Sequence, residues 1–183
     1  MTPTEYEKHL QDARDTLLRS QNYMSLFVEV RATPSEIQNR YLGVFSNIES
    51  ALRLMSLVQL APLFDSDPKS AGLPTLLRVV ARDSSTLASH ADVAELRATR
   101  KTLNAHPEAR QRLKNVRDRR LSHHDLNAVT DPITKGDYDA LVGDAESVIK
   151  DLYWHYGRIG YTRAPLDQLT LDHWSEILKL IDP

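Results

Sequence analysis

Apolar residues recur at three- and four-residue steps along most of the chain. No window alternates apolar and polar residues as a half-buried strand would. Tyr6, Leu10, Ala13, Leu17, Met24, Phe27 and Arg31 fall on one such repeat, which predicts a long first helix with room for a break near Ser20–Asn22. Thr2 as cap, Pro3 at the first helical position and Glu5 reaching back mark its start. "TPSE" at Thr33–Glu36 repeats the device, ending the first helix and starting a second. The second carries Ile37, Tyr41, Phe45, Ile48, Leu52 and Met55 on one face. It then broadens into Leu57, Val58, Leu60, Leu63 and Phe64, as a helix central to a bundle does.

"DSDPKSAGLP", Asp65 to Pro74, reads as a loop, and "TLLRVVA" after it as a short helix. Asp83 and Ser84 offer caps for a more polar helix running toward Leu103. Pro107 suits the first turn of the next, which covers Leu113 to Asp125. "NAVTDPITKG" is a second loop. Thr134 and Asp137 then start a helix bearing Leu141, Ala145, Val148, Ile149, Leu152 and Tyr156, ended by Gly157 and Gly160. A last amphipathic piece, at about 166–181, carries Trp174, Ile177, Leu178 and Ile181. The expectation is one all-α domain over residues 1–183, an antiparallel helical bundle of about five to seven helices.

Composition narrows the function classes. Cysteine is absent, which excludes disulfides, thiolate zinc sites and a Cys nucleophile. The net charge of −2 gives no global attraction to polyanions, so any such attraction must be local. The longest apolar-rich run is interrupted by Arg53, Gln59 and Pro62 and is too short to span a bilayer. A cytoplasmic protein without membrane association is expected. No glycine-rich phosphate loop, GxSxG or HExxH occurs, and neither a metal nor a cofactor is expected. His9, His90, His155 and His173 lie in amphipathic helices and read as surface or satisfied histidines.

The local exception is "LKNVRDRRLSHHD", Leu113 to Asp125. From Arg110 to Arg120 the basic residues Arg110, Arg112, Lys114, Arg117, Arg119 and Arg120 face one acid, Asp118. Such a cluster suits phosphates, whose condensed counterions it releases, and it equally suits a solvated helix face. With His123 and His124 it could also support metal-free RNA cleavage. That chemistry needs a base for the 2′-hydroxyl, an acid for the leaving oxygen and a cation over the phosphorane. Histidine serves both proton roles near neutrality, and the planar arginine fork matches phosphate oxygens. One helix supplies half of such a site, and a two-fold dimer would supply the rest. The Arg-to-His spacing is no better than chance, since Arg100 with His106, Arg117 with His124 and Arg119 with His124 all fit.

"NVRDRRLSHHD" resembles the signature of the HEPN superfamily of helical ribonucleases and nucleic-acid-associated proteins, and in its Arg-Asp-Arg and trailing Asp the AbiU branch linked to abortive phage infection. "LVQLAPLFDSDPKSAGLPTLLRVV", Leu57 to Val80, resembles the Leu-rich segment of that branch with its following loop and short helix. The resemblance implies Arg117 as the motif arginine, Asp118 as its polar follower and His123 as the motif histidine. Ser122 takes the usual small position and Asp125 the trailing acid. His124 stays a rival, because seven residues return near one helix face whereas six leave His123 about 120° away. Asp125 stands where some relatives carry a tyrosine that a partner modifies, which disfavours such a modification.

Three readings follow. The first is a metal-independent endoribonuclease acting as a homodimer, toxin-like in phage defence. In it Arg117 holds the scissile phosphate, His123 (or His124) is acid/base, Asp118 orients them, and Arg112, Lys114, Arg119 and Arg120 bind RNA backbone. An antitoxin or regulatory protein is a further candidate partner. The second is a non-catalytic HEPN-like module binding RNA or a protein, and the third a scaffold whose basic helix is merely solvated.

Overall fold

The computed structural model describes residues 1–67, 70–122 and 132–161, with side chains omitted for 119–122. The expected helix at about 166–181, and His123, His124 and Asp125, lie outside the described residues.

Among the described residues there are eight α-helices and no strand. Six are long: α1 (Pro3–Arg31), α3 (Leu42–Leu60), α4 (Leu73–Arg82), α6 (Val93–Leu103), α7 (Pro107–Ser122) and α8 (Lys135–Gly157). Two are short, α2 (Ser35–Arg40) and α5 (Ser84–Leu87), and a 3-10 turn spans Ala61–Phe64. The chain is thus all-α, as the spacing predicts.

Cross-helix bonds give the directions. Arg31 pairs with Glu49 while Ser20 donates to the Ser56 carbonyl, so α3 runs antiparallel to α1. Ser20 meets Tyr138 and Gln11 meets Tyr153, so α8 is antiparallel to α1 as well. Thr99 meets Asp151 and His106 meets Asp144, which sets α6 and the start of α7 against α8 in the reverse direction. Leu141, Ala145, Val148, Ile149 and Leu152 of α8 are fully buried among Tyr6, Leu10 and Leu17 of α1 and Leu60, Leu76 and Leu113 of its neighbours. Each buried Leu, Ile or Val among them contributes about 1.5–3 kcal/mol by leaving water.

The first helix begins as predicted, with Thr2 and Glu5 in a reciprocal capping box. It does not break at Ser20–Asn22. The Ser20 hydroxyl satisfies itself on the Ser56 carbonyl at 2.8 Å and the Tyr138 hydroxyl at 3.0 Å, so a polar residue sits in the core without interrupting the helix. "TPSE" forms no capping box. Thr33 is buried behind the end of α1, Pro34 takes the cap position, and the Gln38 side chain donates to the Arg31 and Thr33 carbonyls. The predicted second helix divides at Tyr41, whose backbone leaves the helical region, and its end tightens into the 3-10 turn where Pro62 falls. Asp83 starts only the single turn α5, without a side-chain cap bond. The polar helix α6 is capped instead by Asp92, whose partner three residues on is Glu95. Thr134 and Asp137 cap α8 as predicted. Beyond Gly157 the left-handed position falls on Arg158, at φ 53°, and not on a glycine. The Arg158 guanidinium donates to the His90 carbonyl and lies 4.6 Å from the Trp154 ring centroid, contacts that offset the cost of that conformation.

Candidate nucleic-acid site

α7 opens at Pro107, whose missing N–H costs nothing in a first turn. Ala109, Leu113 and Val116 then form the buried stripe that seats the helix on the core. Positions 110, 114 and 117 share the adjoining face by the same periodicity, while 112 falls on another. The basic segment therefore divides by geometry.

Arg112 faces α8. Its Nε donates to Asp137 at 3.0 Å and its Nη2 to the second oxygen of the same carboxylate. Asp137 is only 11% exposed there, and the hydrogen bond from Arg112 holds its carboxyl down at about 2. The pair joins α7 to the first turn of α8, where Asp137 also caps the helix.

Arg110, Lys114 and Arg117 instead line a cleft of about 470 Å³ between α7 and the 3-10 turn with its following loop. Phe64, Asp65 and Asp67 line the other side. Arg110 stands 5.6 Å from the Phe64 ring centroid and donates to the Leu103 carbonyl and to Asn104 Oδ1. Burial lowers its pKa, though a guanidinium stays charged at any ordinary pH. Lys114 is exposed.

Arg117 is the most closely held of the three. Its Nε donates to Asp118 at 2.8 Å and its Nη1 to Asp65 at 3.1 Å. The hydrogen bond it donates to Asp118 is the main cause that raises its pKa further. Among the described residues Nη2 makes no hydrogen bond, and the side chain is 30% exposed. Asp65 is itself fixed: its Oδ1 accepts from the Asp67 amide at 3.0 Å while Oδ2 takes Arg117. The loop behind it is tied down by Ser70 and Thr75, both donating to the Asp67 carbonyl. Gly72 closes it so tightly that a Cβ there would stand 2.5 Å from the Asp65 carbonyl oxygen. Asp65 has no role in the sequence reading. Its place at the end of "LVQLAPLFD" was the available signal, and only the tertiary fold gives it a partner.

Arg117, Asp118 and Lys114 are thus on or beside one cleft, and Arg112 is not. Arg119 and Arg120 lie in the last described turn of α7. His155, read as a surface or satisfied histidine, is buried with Nε2 3.2 Å from Thr99 Oγ1 and Nδ1 without a hydrogen bond among the described residues, and His90 is exposed. Among the described residues no three His, Asp or Glu side chains group as a metal site, and no helix is long and apolar enough to cross a membrane.

The described residues form an all-α helical bundle whose Arg-Asp pair closes on a Leu-Phe-Asp turn. The chain belongs to the HEPN AbiU2 family, whose description, AbiU2, matches residues 4–177. No curated protein and no solved structure matches it.

Proposed function

We propose that the protein is a metal-independent endoribonuclease acting as a homodimer, with RNA as substrate and a toxin-like role in abortive phage infection. Arg117 holds the scissile phosphate and Asp118 keeps its guanidinium in place. His123, or its rival His124, takes the proton of the 2′-hydroxyl as that oxygen bonds to phosphorus. The corresponding histidine of the second protomer protonates the 5′-oxygen as its bond to phosphorus breaks, leaving a cyclic phosphate and a free hydroxyl. Lys114, Arg119 and Arg120 meet flanking phosphates. No metal or cofactor takes part, and an antitoxin or regulatory protein restrains the activity.

The observation that supports this reading best is the setting of Arg117. Two carboxylates hold its guanidinium through Nε and Nη1 at the rim of a cleft, which leaves a preorganised cation six residues before His123 in sequence. The test is cleavage of single-stranded RNA with chelator present. Loss of cleavage in both Arg117→Ala and His123→Ala is expected, and cleavage that survives both substitutions sinks the reading.

One observation favours a second reading, a non-catalytic module that binds RNA or a protein partner. Asp65 and Asp118 together more than neutralise Arg117, so a phosphate must compete with them. RNA affinity that falls steeply with salt, with no cleavage at any pH, would select it.

A further inference from the structure

A second groove lies between α4 and α6, with a volume of about 560 Å³. Arg78 and Arg82 project into it from α4, Arg97 and Arg100 from α6, and Arg110 from α7. No carboxylate lines it among the described residues, and none of these five arginines forms an ion pair with a described residue. Arg78 spends one N–H on the Ser66 carbonyl and Arg110 is bonded as above; the other three are exposed.

Arg78 and Arg82 are four apart on one helix, and Arg97 and Arg100 three apart on another, spacings at which like charges repel. Five arginines gathered on one groove with no carboxylate in its described lining point to a polyanionic ligand.

The floor says which kind. An amphipathic helix docking here would need exposed apolar anchors. Leu77 and Leu103 are 7% and 2% exposed, already spent on the core, and Val93 is the one large apolar residue on show. What distinguishes the groove is its five arginines with no carboxylate beside them. Arginine also matches phosphate oxygens with paired donors, which a lysine cannot. Finally, the groove adjoins the Arg117 cleft, because Ser66 and Arg110 line both.

We infer that the α4–α6 groove binds the phosphodiester backbone of single-stranded RNA, carrying the strand away from the Arg117 cleft across Arg110. The inference rests on RNA being the ligand of that cleft, but not on cleavage there.

The test uses the whole protein and a fluorescent 2′-O-methyl oligouridylate of about 16 nucleotides, which has no nucleophilic hydroxyl and cannot be cut. Affinity is measured against salt for the wild type, Arg97→Gln/Arg100→Gln, and a control, Lys8→Gln/Arg19→Gln, which removes the same charge from exposed positions of α1. The groove variant is expected to bind on the order of tenfold more weakly, with a log–log salt slope shallower by about 1.4, since each lost single-strand contact removes about 0.7. The control is expected to keep the wild-type slope. Wild-type affinity and slope in the groove variant, equal weakening in the control, or no binding by the wild type each overturn the inference. Cleavage of unmodified RNA separates it from the nuclease reading. Groove-dependent binding without any cleavage leaves the groove and removes the nuclease; cleavage with groove-independent binding does the reverse.

Discussion

Asp65 and Arg117, 52 residues apart in sequence, meet at 3.1 Å across the mouth of the cleft. The pair joins the Leu-Phe-Asp turn to the Arg-Asp stretch of α7, the two segments on which the family resemblance rests. Both side chains are about 30% exposed, so the bond contributes to stability no more than about 1 kcal/mol. Its larger effect is electrostatic, because it places a negative charge where a phosphate is proposed to sit. Asp65→Asn keeps the shape and removes that charge. RNA affinity is expected to rise several-fold, consistent with about 1 kcal/mol for a unit charge near 4 Å in a water-like medium. Anisotropy titration with a non-cleavable RNA measures it, and unchanged or weaker binding contradicts a phosphate at Arg117.

Gly72 tests how the same aspartate is held. Its backbone is ordinary and extended, at φ −66°, so conformational freedom is not the reason for a glycine. Space is: a Cβ would meet the Asp65 and Pro62 carbonyl oxygens at 2.5 and 2.8 Å, and these are backbone atoms that cannot swing aside. Gly72→Ala is expected to cost about 2 kcal/mol, as overpacking does. For a chain of this size that lowers Tm by about 4–8 °C. A variant that melts with the wild type shows the loop to be slack.

The Arg112–Asp137 bond predicts an acid-dependent loss of stability. Asp137 has its carboxyl lowered to about 2. A depressed carboxyl pKa contributes stability above the unfolded value, and that contribution fades as pH falls from about 4 to about 2. Arg112→Ala should therefore destabilise by about 2 kcal/mol at neutral pH, the scale of a charge-assisted hydrogen bond. The gap in Tm between wild type and variant should close below pH 4, and thermal melts at a series of pH values would expose a gap that stays constant.

The sequence makes the helices legible because burial of a stripe and capping of an end are local matters. Tyr6, Leu10, Ala13 and Leu17 all reach the core, and Thr2 with Glu5 and Thr134 with Asp137 all cap as read. It misleads where one local signal has two uses. Thr33 resembles a cap but is drawn into the interior behind α1, and Asp83 precedes a helix that lasts one turn. Asp92 with Glu95 was the better signal, since the return bond from the third residue distinguishes a cap from a chance aspartate. The site is less legible than the fold. Arg110, Arg112, Lys114 and Arg117 look alike as a charge run, yet one points to α8 and three to a cleft. Asp65, Arg78 and Arg97 enter only when three distant helices converge.

The choice between His123 and His124 carries the last prediction, because it decides whether one chain or two build the proposed site. The described helix α7 reaches Ser122, so Arg117 lies in its last turns. Were that helix to continue, His124 would fall about 20° from the Arg117 direction and His123 about 120° from it. A site made within one protomer would then favour His124. A site shared across a two-fold axis lifts that restriction, since Arg117 of one protomer can meet His123 of the other. The family resemblance favours His123, and hence the shared site. His123→Ala is expected to lose about 10²–10⁴-fold in cleavage rate, and His124→Ala less than about tenfold. Refolding wild type with an equal amount of His123→Ala should then leave about a quarter of the activity of the same total of wild type, because only a dimer with both histidines carries acid and base. If each protomer carries its own complete site, about half of the activity remains. An active His123→Ala paired with an inactive His124→Ala would instead place the working base on the same helical face as Arg117.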